Sequence, residues 1–250
     1  MPSAIEHATA GADLFIADLH LSPATPEISE RFERFLAGPA RQARRLFILG
    51  DLFEAWAGDD DLADPFNARI VTALRAAAAQ GTALYFLPGN RDFLVGNDFV
   101  AAAGCTLLPD PYACELAGRR ALLTHGDLLC TEDIDYQRFR AEVHSTAWRD
   151  AFLAQPLAIR KRQIAALRAQ SETEKQTKPA ALMDVEAATV AAWLADSGAE
   201  LLIHGHTHRP GRHTHTVAGR TCERWVLGDW RPGHGNALVG KDNELAFLSL

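Results

Sequence analysis

Short apolar runs that end in polar residues recur along this chain. They begin near residues 14, 45, 83, 120 and 201, and each spans about five residues. Runs of this length, bounded by Gly, Pro or polar residues, are typical of buried strands. Residues 65–80 begin with Pro65, carry Ile70, Val71 and Leu74 on one face and stop at Gly81, which predicts a helix. With further strands expected at 224–227 and 245–248, the pattern predicts an α/β fold.

Residues 131–195 have a different pattern. They contain no convincing strand and are rich in Ala, Arg, Gln, Glu and Lys, with apolar residues at helical spacing. This predicts a helical insertion over the α/β core, with the polar and non-periodic segment 171–179 as a loop. A length of 250 residues then fits a single domain, residues 1–250, that includes the insertion at about 131–195.

Composition narrows the class of protein. A net charge of −7 argues against a general nucleic-acid binder, which usually carries a basic surface. The four cysteines form no C-x-x-C pair, so we interpret them as small buried residues of a protein from a reducing compartment. The first residues lack the pattern of a signal peptide, and no apolar stretch approaches the ~18 residues of a membrane-spanning helix. We therefore expect a cytoplasmic protein.

Five polar motifs follow the predicted strands. Ligand sites in open α/β sheets form beyond strand ends, so distant motifs can converge on one point. The motifs are Asp18-Leu19-His20, Gly50-Asp51, Gly89-Asn90-Arg91-Asp92, His125-Gly126-Asp127 and Gly205-His206-Thr207-His208. Carboxylate, amide and imidazole donors together suit divalent ions such as Mn²⁺, Fe²⁺ or Zn²⁺. Because no thiolate accompanies them, a structural zinc site is not expected.

Spacing within the motifs gives a further expectation. Residues two apart in a strand point to the same side, so Asp18 and His20 should reach one ion together, as should His206 and His208. Each motif alone is weak, because a capped loop or a simple turn gives the same letters. All five in this order form a strong signal. We expect His204 to be a packed residue, and Asp92 and Asp127 to orient neighbouring groups.

The order D-x-H, GD, GN-x-D, H, GH-x-H resembles that of the calcineurin-like metallophosphoesterases. The resemblance implies a sandwich of two mixed sheets flanked by helices, here with a helical lid. It implies that one ion is held by Asp18, His20, Asp51 and His208, and a second by Asp51, Asn90, His125 and His206. Asp51 would bridge the pair, and a water activated by both ions would attack phosphorus.

Arg91 indicates which branch of this superfamily the chain resembles. Many members carry His at this position, whereas an arginine is a poor general acid but a good phosphate clamp. That favours a phosphoanhydride, whose leaving group needs little protonation. The segments FIADLHL, GDLFEAW, GNRDF, PLAIRKR and HGHTHRP resemble the UDP-2,3-diacylglucosamine pyrophosphohydrolases from about residue 13 onward. Residues 1–12 lie outside the resemblance and are expected to form a disordered extension.

This resemblance implies a specific reaction in lipid A biosynthesis. UDP-2,3-diacylglucosamine would be cleaved to UMP and 2,3-diacylglucosamine 1-phosphate (lipid X) by water attacking the α-phosphorus, with Mn²⁺ as the metal. Asp51 and Arg91 would be catalytic. The substrate contacts implied are Asn90, Arg91, Asp133, Ser171, Lys178 and His206. Lys175 stands where the family pattern can hold Asn, and its amine could reach a phosphate or a hydroxyl.

The resemblance also gives the insertion a role. Two acyl chains need an apolar chamber, since each buried CH₂ contributes roughly 0.8 kcal/mol. The candidate lining residues are Trp148, Phe152, Leu153, Leu157 and Ile164, which could alternatively pack the lid onto the core. A basic cluster beside them suits an anionic membrane surface, or alternatively a solvated helix face: Arg160, Lys161, Arg162 and Arg168. We expect a monomer that visits the cytoplasmic face of the inner membrane and binds a lipid-linked UDP-sugar.

Three other functions account for part of this sequence. A soluble nucleotide pyrophosphatase or phosphodiesterase keeps the same chemistry, and a compact polar pocket would favour it over a wide apolar chamber. A non-enzymatic scaffold of the same fold should lack metal ligands, yet the expected set is complete. A membrane-surface lipid-binding module would not need seven residues of metal-ligand type.

Overall fold

The computed structural model describes residues 8–177 and 183–250, and within them eleven strands form two sheets. The strands are β1 (Asp13–Ile16), β2 (Arg45–Leu49), β3 (Ala83–Leu87), β4 (Cys105–Leu107), β5 (Tyr112–Leu116), β6 (Arg119–Leu123), β7 (Leu201–His204), β8 (Gly211–Val217), β9 (Arg220–Val226), β10 (Asn236–Lys241) and β11 (Glu244–Ser249). One sheet has the order β11-β10-β1-β2-β3-β4 and the other β5-β6-β7-β9-β8. Both mix parallel and antiparallel pairs, as the resemblance implied.

Seven helices flank the sheets in the described residues. They are α1 (Pro26–Ala37), α2 (Pro65–Ala79), α3 (Asn97–Ala103), α4 (Ile134–Val143), α5 (Thr146–Leu153), α6 (Leu157–Thr177) and α7 (Ala187–Ser197). No helix in this part of the chain is both long and apolar enough to cross a bilayer.

Both faces of the central strands are buried, which explains why they have uninterrupted apolar sequences. Along β1, Leu14 and Ile16 pack in one core with α1, α2 and α3, whereas Phe15 faces the second sheet. Phe15 stacks there on Phe47 with ring centroids 5.0 Å apart. A third, smaller core lies between the second sheet and α7. The molecule is therefore layered as helix, sheet, sheet and helix.

Strand direction places the polar motifs. β1, β2 and β3 run parallel in one sheet, and β6 and β7 run parallel in the other. Parallel strands present their carboxyl ends at one edge of a sheet. The loops after all five strands carry the five motifs, so the topology brings distant parts of the sequence to one region.

The helical insertion is confirmed, since α4 to α6 and most of α7 fill the described part of 131–195 and no strand occurs there. The predicted loop at 171–179 is wrong for residues 171–177, which continue α6 to Thr177. Glu, Lys and Gln are good helix formers, so the absence of an apolar stripe did not exclude a helix. Residues 178 and 179 lie outside the described residues. The assignment of all 250 residues to one domain stays a prediction.

The N-terminal prediction also needs correction. Thr9 and Ala12 are buried, and the Gly11 amide donates to the Gln42 carbonyl oxygen at 2.8 Å. Residues 8–12 are therefore ordered, whereas residues 1–7 lie outside the described part of the chain. The four cysteines form no disulfide; Cys130 and Cys222 are buried as predicted, whereas Cys105 and Cys114 are only partly buried.

Candidate active site

The loops after β1, β2 and β7 have unusual backbone geometry. Five non-glycine residues there adopt positive φ, and all five are predicted metal ligands: Asp18 (56°), His20 (50°), Asp51 (53°), His206 (66°) and His208 (55°). Such conformations cost of order 1–3 kcal/mol each and cluster at functional sites. Because β1 ends at Ile16 and β7 at His204, the argument from alternation along a strand is wrong for these motifs.

One half of the site gathers around His20 and His208. The two Nε2 atoms lie 3.4 Å apart, and His208 Nε2 lies 3.4 Å from Asp18 Oδ1. His20 Nε2 is 3.9 Å from Asp51 Oδ2. Asp18 is fully buried, and its Oδ1 has no hydrogen-bond partner among the described residues. A buried carboxylate oxygen needs compensation, which a cation at this position would supply.

The other half gathers around Asn90. Its Oδ1 lies 2.9 Å from His125 Nε2 and 3.0 Å from His206 Nδ1. His125 Nε2 is also 3.7 Å from Asp51 Oδ1. Asp51 thus presents one carboxylate oxygen to each half. His206 and His208 contribute to opposite halves, contrary to the spacing argument and in agreement with the division that the resemblance implied.

The donor chemistry fits divalent cations. Oxygen and nitrogen donors of Asp18, His20 and His208 lie within 4.8 Å of one another, as do those of Asp18, Asp51 and His125. Burial acts to lower the pKa of His125, but the carboxylates of Asp51, Asp18 and Asp127 raise it to about 9. A negative field of this strength attracts positive charge. Mixed carboxylate, amide and imidazole donors suit borderline divalent ions.

Three of the histidines have a partner for the second ring nitrogen. His20 Nδ1 lies 3.0 Å from Glu54 Oε2, and His125 Nδ1 lies 2.9 Å from the Leu49 carbonyl oxygen. His208 Nδ1 is 3.7 Å from Asp229 Oδ2. A hydrogen bond on this nitrogen fixes the tautomer and the orientation of a metal-binding ring, as the Leu49 carbonyl oxygen does for His125. The carboxylates of Glu54 and Asp229 are near neighbours of His20 and His208 without full hydrogen-bond geometry. Glu54 and Asp229 were not predicted from the sequence, although Glu54 lies within the GDLFEAW segment.

Asp92 holds two of the loops together. It is fully buried and accepts hydrogen bonds from the amides of Gly89 and Leu52, both at 2.8 Å. The amides of Asp51 and Phe53 also donate to it, at 3.2 and 3.3 Å. Burial and the neighbouring Asp51 carboxylate raise the pKa of Asp92 to about 6, against the effect of these donors. Asp92 therefore orients the backbone around the site, as predicted.

Asp127 and His204 also behave as predicted. Asp127 Oδ2 accepts hydrogen bonds from the Tyr136 hydroxyl and from Arg140 Nε, both at 2.6 Å, which ties α4 to the core. His204 is buried, and its Nε2 accepts from Arg224 Nη1 at 3.1 Å. Burial and Arg224 lower the pKa of His204 to about 3. Its Nδ1 lies 2.8 Å from the Gly205 carbonyl oxygen, so both ring nitrogens have partners outside the proposed ligand set.

Two glycines are required by close approach of the ligands. A Cβ at Gly89 would collide with Asp51 Oδ1, and a Cβ at Gly205 would collide with Asp18 Oδ2. No side-chain rearrangement can relieve this without moving a carboxylate of the site. The glycines of GN-x-D and GH-x-H are therefore part of the site geometry.

A cavity of about 560 Å³ extends from this cluster under the lid. His20, Asp51, Asn90, His206 and His208 line its polar end, and Arg91, Asp133 and Ser171 also border it. The apolar end is lined by Phe93, Leu94, Phe139, Trp148, Ile164 and Leu167. A single cavity thus joins a phosphate-sized polar cluster to an apolar chamber.

The comparisons with known proteins agree with this geometry. Residues 14–210 match the family model of the calcineurin-like phosphoesterases. This chain belongs to that family. A protein of Aromatoleum aromaticum, named UDP-2,3-diacylglucosamine hydrolase, is 54% identical over 87% of this chain and 88% of its own. Proteins with the same name from Chromohalobacter salexigens and Escherichia coli O81 are 48% and 49% identical, over 89% and 93% of this chain and 90% and 96% of theirs.

The chamber of this calcineurin-like phosphoesterase differs in part from the prediction. Trp148 and Ile164 line it as predicted, but Phe152 is 4% exposed and packs in the core. Leu153 is 38% exposed, and neither it nor Leu157 is among the described residues that line the chamber. Phe139 on α4 and Leu167 on α6 line the chamber instead. No sequence pattern had indicated Phe139 as a lining residue. The side chain of Lys175 and all of Lys178 lie outside the described residues.

The predicted basic cluster is not a free basic face. Arg160 is buried and pairs with Asp60 and the Ala57 carbonyl oxygen. Lys161 Nζ lies 2.7 Å from Asp61 Oδ1, and Arg168 pairs with Glu54. These three side chains attach α6 of the phosphoesterase to the loop after β2. Paired and largely enclosed, Arg160 and Arg168 form neither a free basic surface nor a solvated helix face, whereas the side chain of Lys161 is 43% exposed and agrees with the alternative of a solvated face.

Proposed function

We propose that this phosphoesterase hydrolyses the pyrophosphate bond of UDP-2,3-diacylglucosamine, releasing UMP and 2,3-diacylglucosamine 1-phosphate in lipid A biosynthesis. The observation that carries this proposal is the cavity of about 560 Å³, which joins the Asp51 cluster to an apolar chamber. A lipid-linked UDP-sugar has the same arrangement, with a diphosphate beside an acylated sugar. The name shared by relatives at 48–54% identity supports the same substrate.

We assign two divalent ions to the two halves of the cluster, with Mn²⁺ as the preferred metal. Bound ions lower the pKa of a shared water and hold the phosphoryl oxygens. Asp18, His20, Asp51 and His208 would hold one ion, and Asp51, Asn90, His125 and His206 the other. Support comes from the two carboxylate oxygens of Asp51, which face His20 and His125 respectively. Three oxygen donors and four imidazoles suit borderline divalent ions as a class, and Mn²⁺ among them is what the resemblance implies.

Arg91 is the proposed clamp for phosphate charge. Its side chain is 10% exposed and borders the cavity, with Nε 4.0 Å from Asp51 Oδ2. Its backbone amide donates to Asp51 Oδ1 at 2.8 Å, which fixes the base of the side chain beside the cluster. A guanidinium keeps its proton, so it can hold the α-phosphate but cannot protonate a leaving group. The leaving sugar phosphate needs little protonation.

Further contacts are proposed along the cavity. Asp133 caps α4 and Ser171 lies on α6, so both can reach polar groups of the sugar or nucleotide from the lid. His206, beside Asn90, faces the same space. Contacts by Lys175 and Lys178 stay predictions from the resemblance.

Contact with the cytoplasmic face of the inner membrane is proposed on a different surface from that predicted. Phe139 and Leu167 line the chamber and are 40% and 39% exposed, and Ile134 at the start of α4 is 54% exposed. Contiguous exposed apolar side chains mark surfaces that contact partners or membranes, which supports a membrane contact near the chamber. The expectations of a monomer and of no nucleic-acid partner are unchanged.

The alternative is a soluble nucleotide pyrophosphatase or phosphodiesterase. The test is to incubate Mn²⁺-loaded protein with UDP-2,3-diacylglucosamine in detergent, beside dinucleoside polyphosphates and cyclic nucleotides. We expect rapid UMP release from the lipid and much slower turnover of the soluble compounds. Asp51→Asn protein, purified in parallel, controls for contaminating hydrolases. Equal turnover of the soluble nucleotides would overturn the lipid assignment.

A further inference from the structure

Glu54 connects the lid helix α6 to the cluster of proposed metal ligands. Its Oε2 lies 3.0 Å from His20 Nδ1, and its carboxylate also pairs with Arg168 Nη2. Arg168 Nη1 donates to the Glu54 backbone oxygen at 2.6 Å. Arg168 therefore contacts Glu54 at both ends of the residue. The chain Arg168–Glu54–His20 leads from the cover of the cavity to a proposed metal ligand.

The orientation of the His20 ring shows how the contact with Glu54 could affect metal binding. Nε2 faces Asp51 Oδ2 and His208 Nε2, so it is the atom directed at the proposed cation. The other ring nitrogen, Nδ1, lies 3.0 Å from Glu54 Oε2, a close contact that lacks full hydrogen-bond geometry. A carboxylate on the distal nitrogen fixes the tautomer and ring orientation of a histidine ligand and increases its basicity.

The two halves of the cluster differ in this respect. His125 receives its orientation from the Leu49 carbonyl oxygen at the end of β2, a backbone group fixed by the sheet. His20 receives it from a side chain that is 33% exposed and that an arginine of the lid contacts. The geometry of His20 thus depends on α6, whereas that of His125 does not.

We propose that Glu54 is a positioning residue for His20 and that Arg168 holds Glu54 in place, so that docking of α6 completes one half of the metal site. This inference rests on the proposed function for the presence of two ions. It assigns Glu54 no contact with substrate or with the reacting atoms. Coupling of this kind would make the half-site around His20 fully formed only when the cavity is covered.

The structure offers a matched control on the same helix. Lys161 also attaches α6 to the loop after β2, through Asp61 at 2.7 Å and Asp64 at 3.2 Å. Neither of these carboxylates contacts a proposed ligand in the described residues. Loss of Lys161 removes one anchor of the lid but leaves the Arg168–Glu54–His20 chain intact.

The test measures metal affinity without substrate, by Mn²⁺ titration of the full chain followed by electron paramagnetic resonance. We expect Glu54→Gln to weaken one of two Mn²⁺ sites by about 10–100-fold and to leave the other unchanged. Arg168→Gln should weaken the same site by a smaller factor, and Lys161→Gln should weaken neither. Glu54→Asp, which keeps the charge, should recover part of the affinity.

Wild-type affinity at both sites of Glu54→Gln would overturn the positioning role, as would equal weakening of both. If Arg168→Gln raises only the KM for the lipid and leaves Mn²⁺ affinity unchanged, Arg168 is a substrate contact and its part in the proposal fails. Thermal unfolding of each variant checks the fold, and Glu54→Asp provides the test if Glu54→Gln does not fold. Because the titration needs no lipid, a protein that binds two ions but releases no UMP would count against the proposed function alone.

Discussion

The cluster of proposed metal ligands and the lid are held in place by different kinds of interaction. Around the cluster, carboxylates bind backbone amides: Asp18 Oδ2 accepts from the His206 amide at 2.9 Å, and Asp92 accepts from four amides. Helix α6 of the lid is attached to the loop after β2 through long charged side chains: Arg160, Lys161 and Arg168. Short carboxylates on backbone amides leave little freedom, whereas lysine and arginine contacts can adjust.

This difference assigns hydrolysis to the cluster and substrate selectivity to the lid. A rigid cluster can hold two cations and a phosphate in fixed positions, and it should act on any phosphoester that reaches it. An adjustable cover can admit a large lipid and then enclose it. Changes in the cluster, or in Arg168 that holds Glu54 beside it, should therefore lower turnover of every substrate, and changes in the apolar side chains of the lid should discriminate between lipid and soluble substrates.

The largest effect is expected for Asp51→Asn. Both halves of the cluster lose a charged donor, so kcat should fall by more than the ~10²–10³-fold that loss of a single transition-state contact costs. Lipid and soluble phosphodiester substrates should be affected alike. Turnover and Mn²⁺ stoichiometry measured on the same preparation test this, and substantial residual activity would contradict the shared role of Asp51.

The second largest effect is expected for Arg91→Ala. Loss of a charged donor beside the phosphate should lower kcat by ~10²–10³-fold. Arg91→Lys keeps the charge but loses the fork, so it should recover only part of the rate. Steady-state kinetics on the lipid substrate provide the measurement, with circular dichroism as the check on folding. Wild-type kinetics in Arg91→Ala would contradict the proposed role of Arg91 in binding the phosphate.

Leu167→Ala tests the lid side of the comparison. The removed side chain borders the chamber but is 39% exposed, so the fold should tolerate the change. We expect the KM for the lipid to rise by about 5–30-fold, from a loss of roughly 1–2 kcal/mol of apolar contact. Hydrolysis of a small soluble phosphodiester should not change. A parallel loss with both substrates would mean that lid and cluster are not separable.

Lys161→Gln should have the smallest effect. Its side chain is 43% exposed, and ion pairs at such positions contribute about 0–1 kcal/mol. Urea unfolding should show a decrease within this range, with kcat unchanged. A larger loss of stability would show that the lid is attached more tightly than its exposed ion pairs suggest.

Much of the core could be predicted because its strands are buried on both faces. The predicted run at 83–87 coincides with β3 (Ala83–Leu87), and that at 201–204 with β7 (Leu201–His204). α1 was missed although Pro26 precedes Ile28, Phe32 and Phe35 at helical spacing. β8 was missed because its exposed sequence, GRHTHTV, has no apolar run. The end of α6 was missed for the same reason.

The sequence by itself determined the chemistry of the site, because residue types and their order after buried strands specify which donors are present. It also determined the layered α/β architecture and the helical lid. Only the tertiary structure decided which donors belong to which half of the site. Positive φ at His206 and His208 sends neighbouring histidines to opposite halves, which no strand periodicity describes. Partners such as Glu54 for His20 and Arg168 for Glu54 are 34 and 114 residues apart in sequence, and only folding brings them into contact.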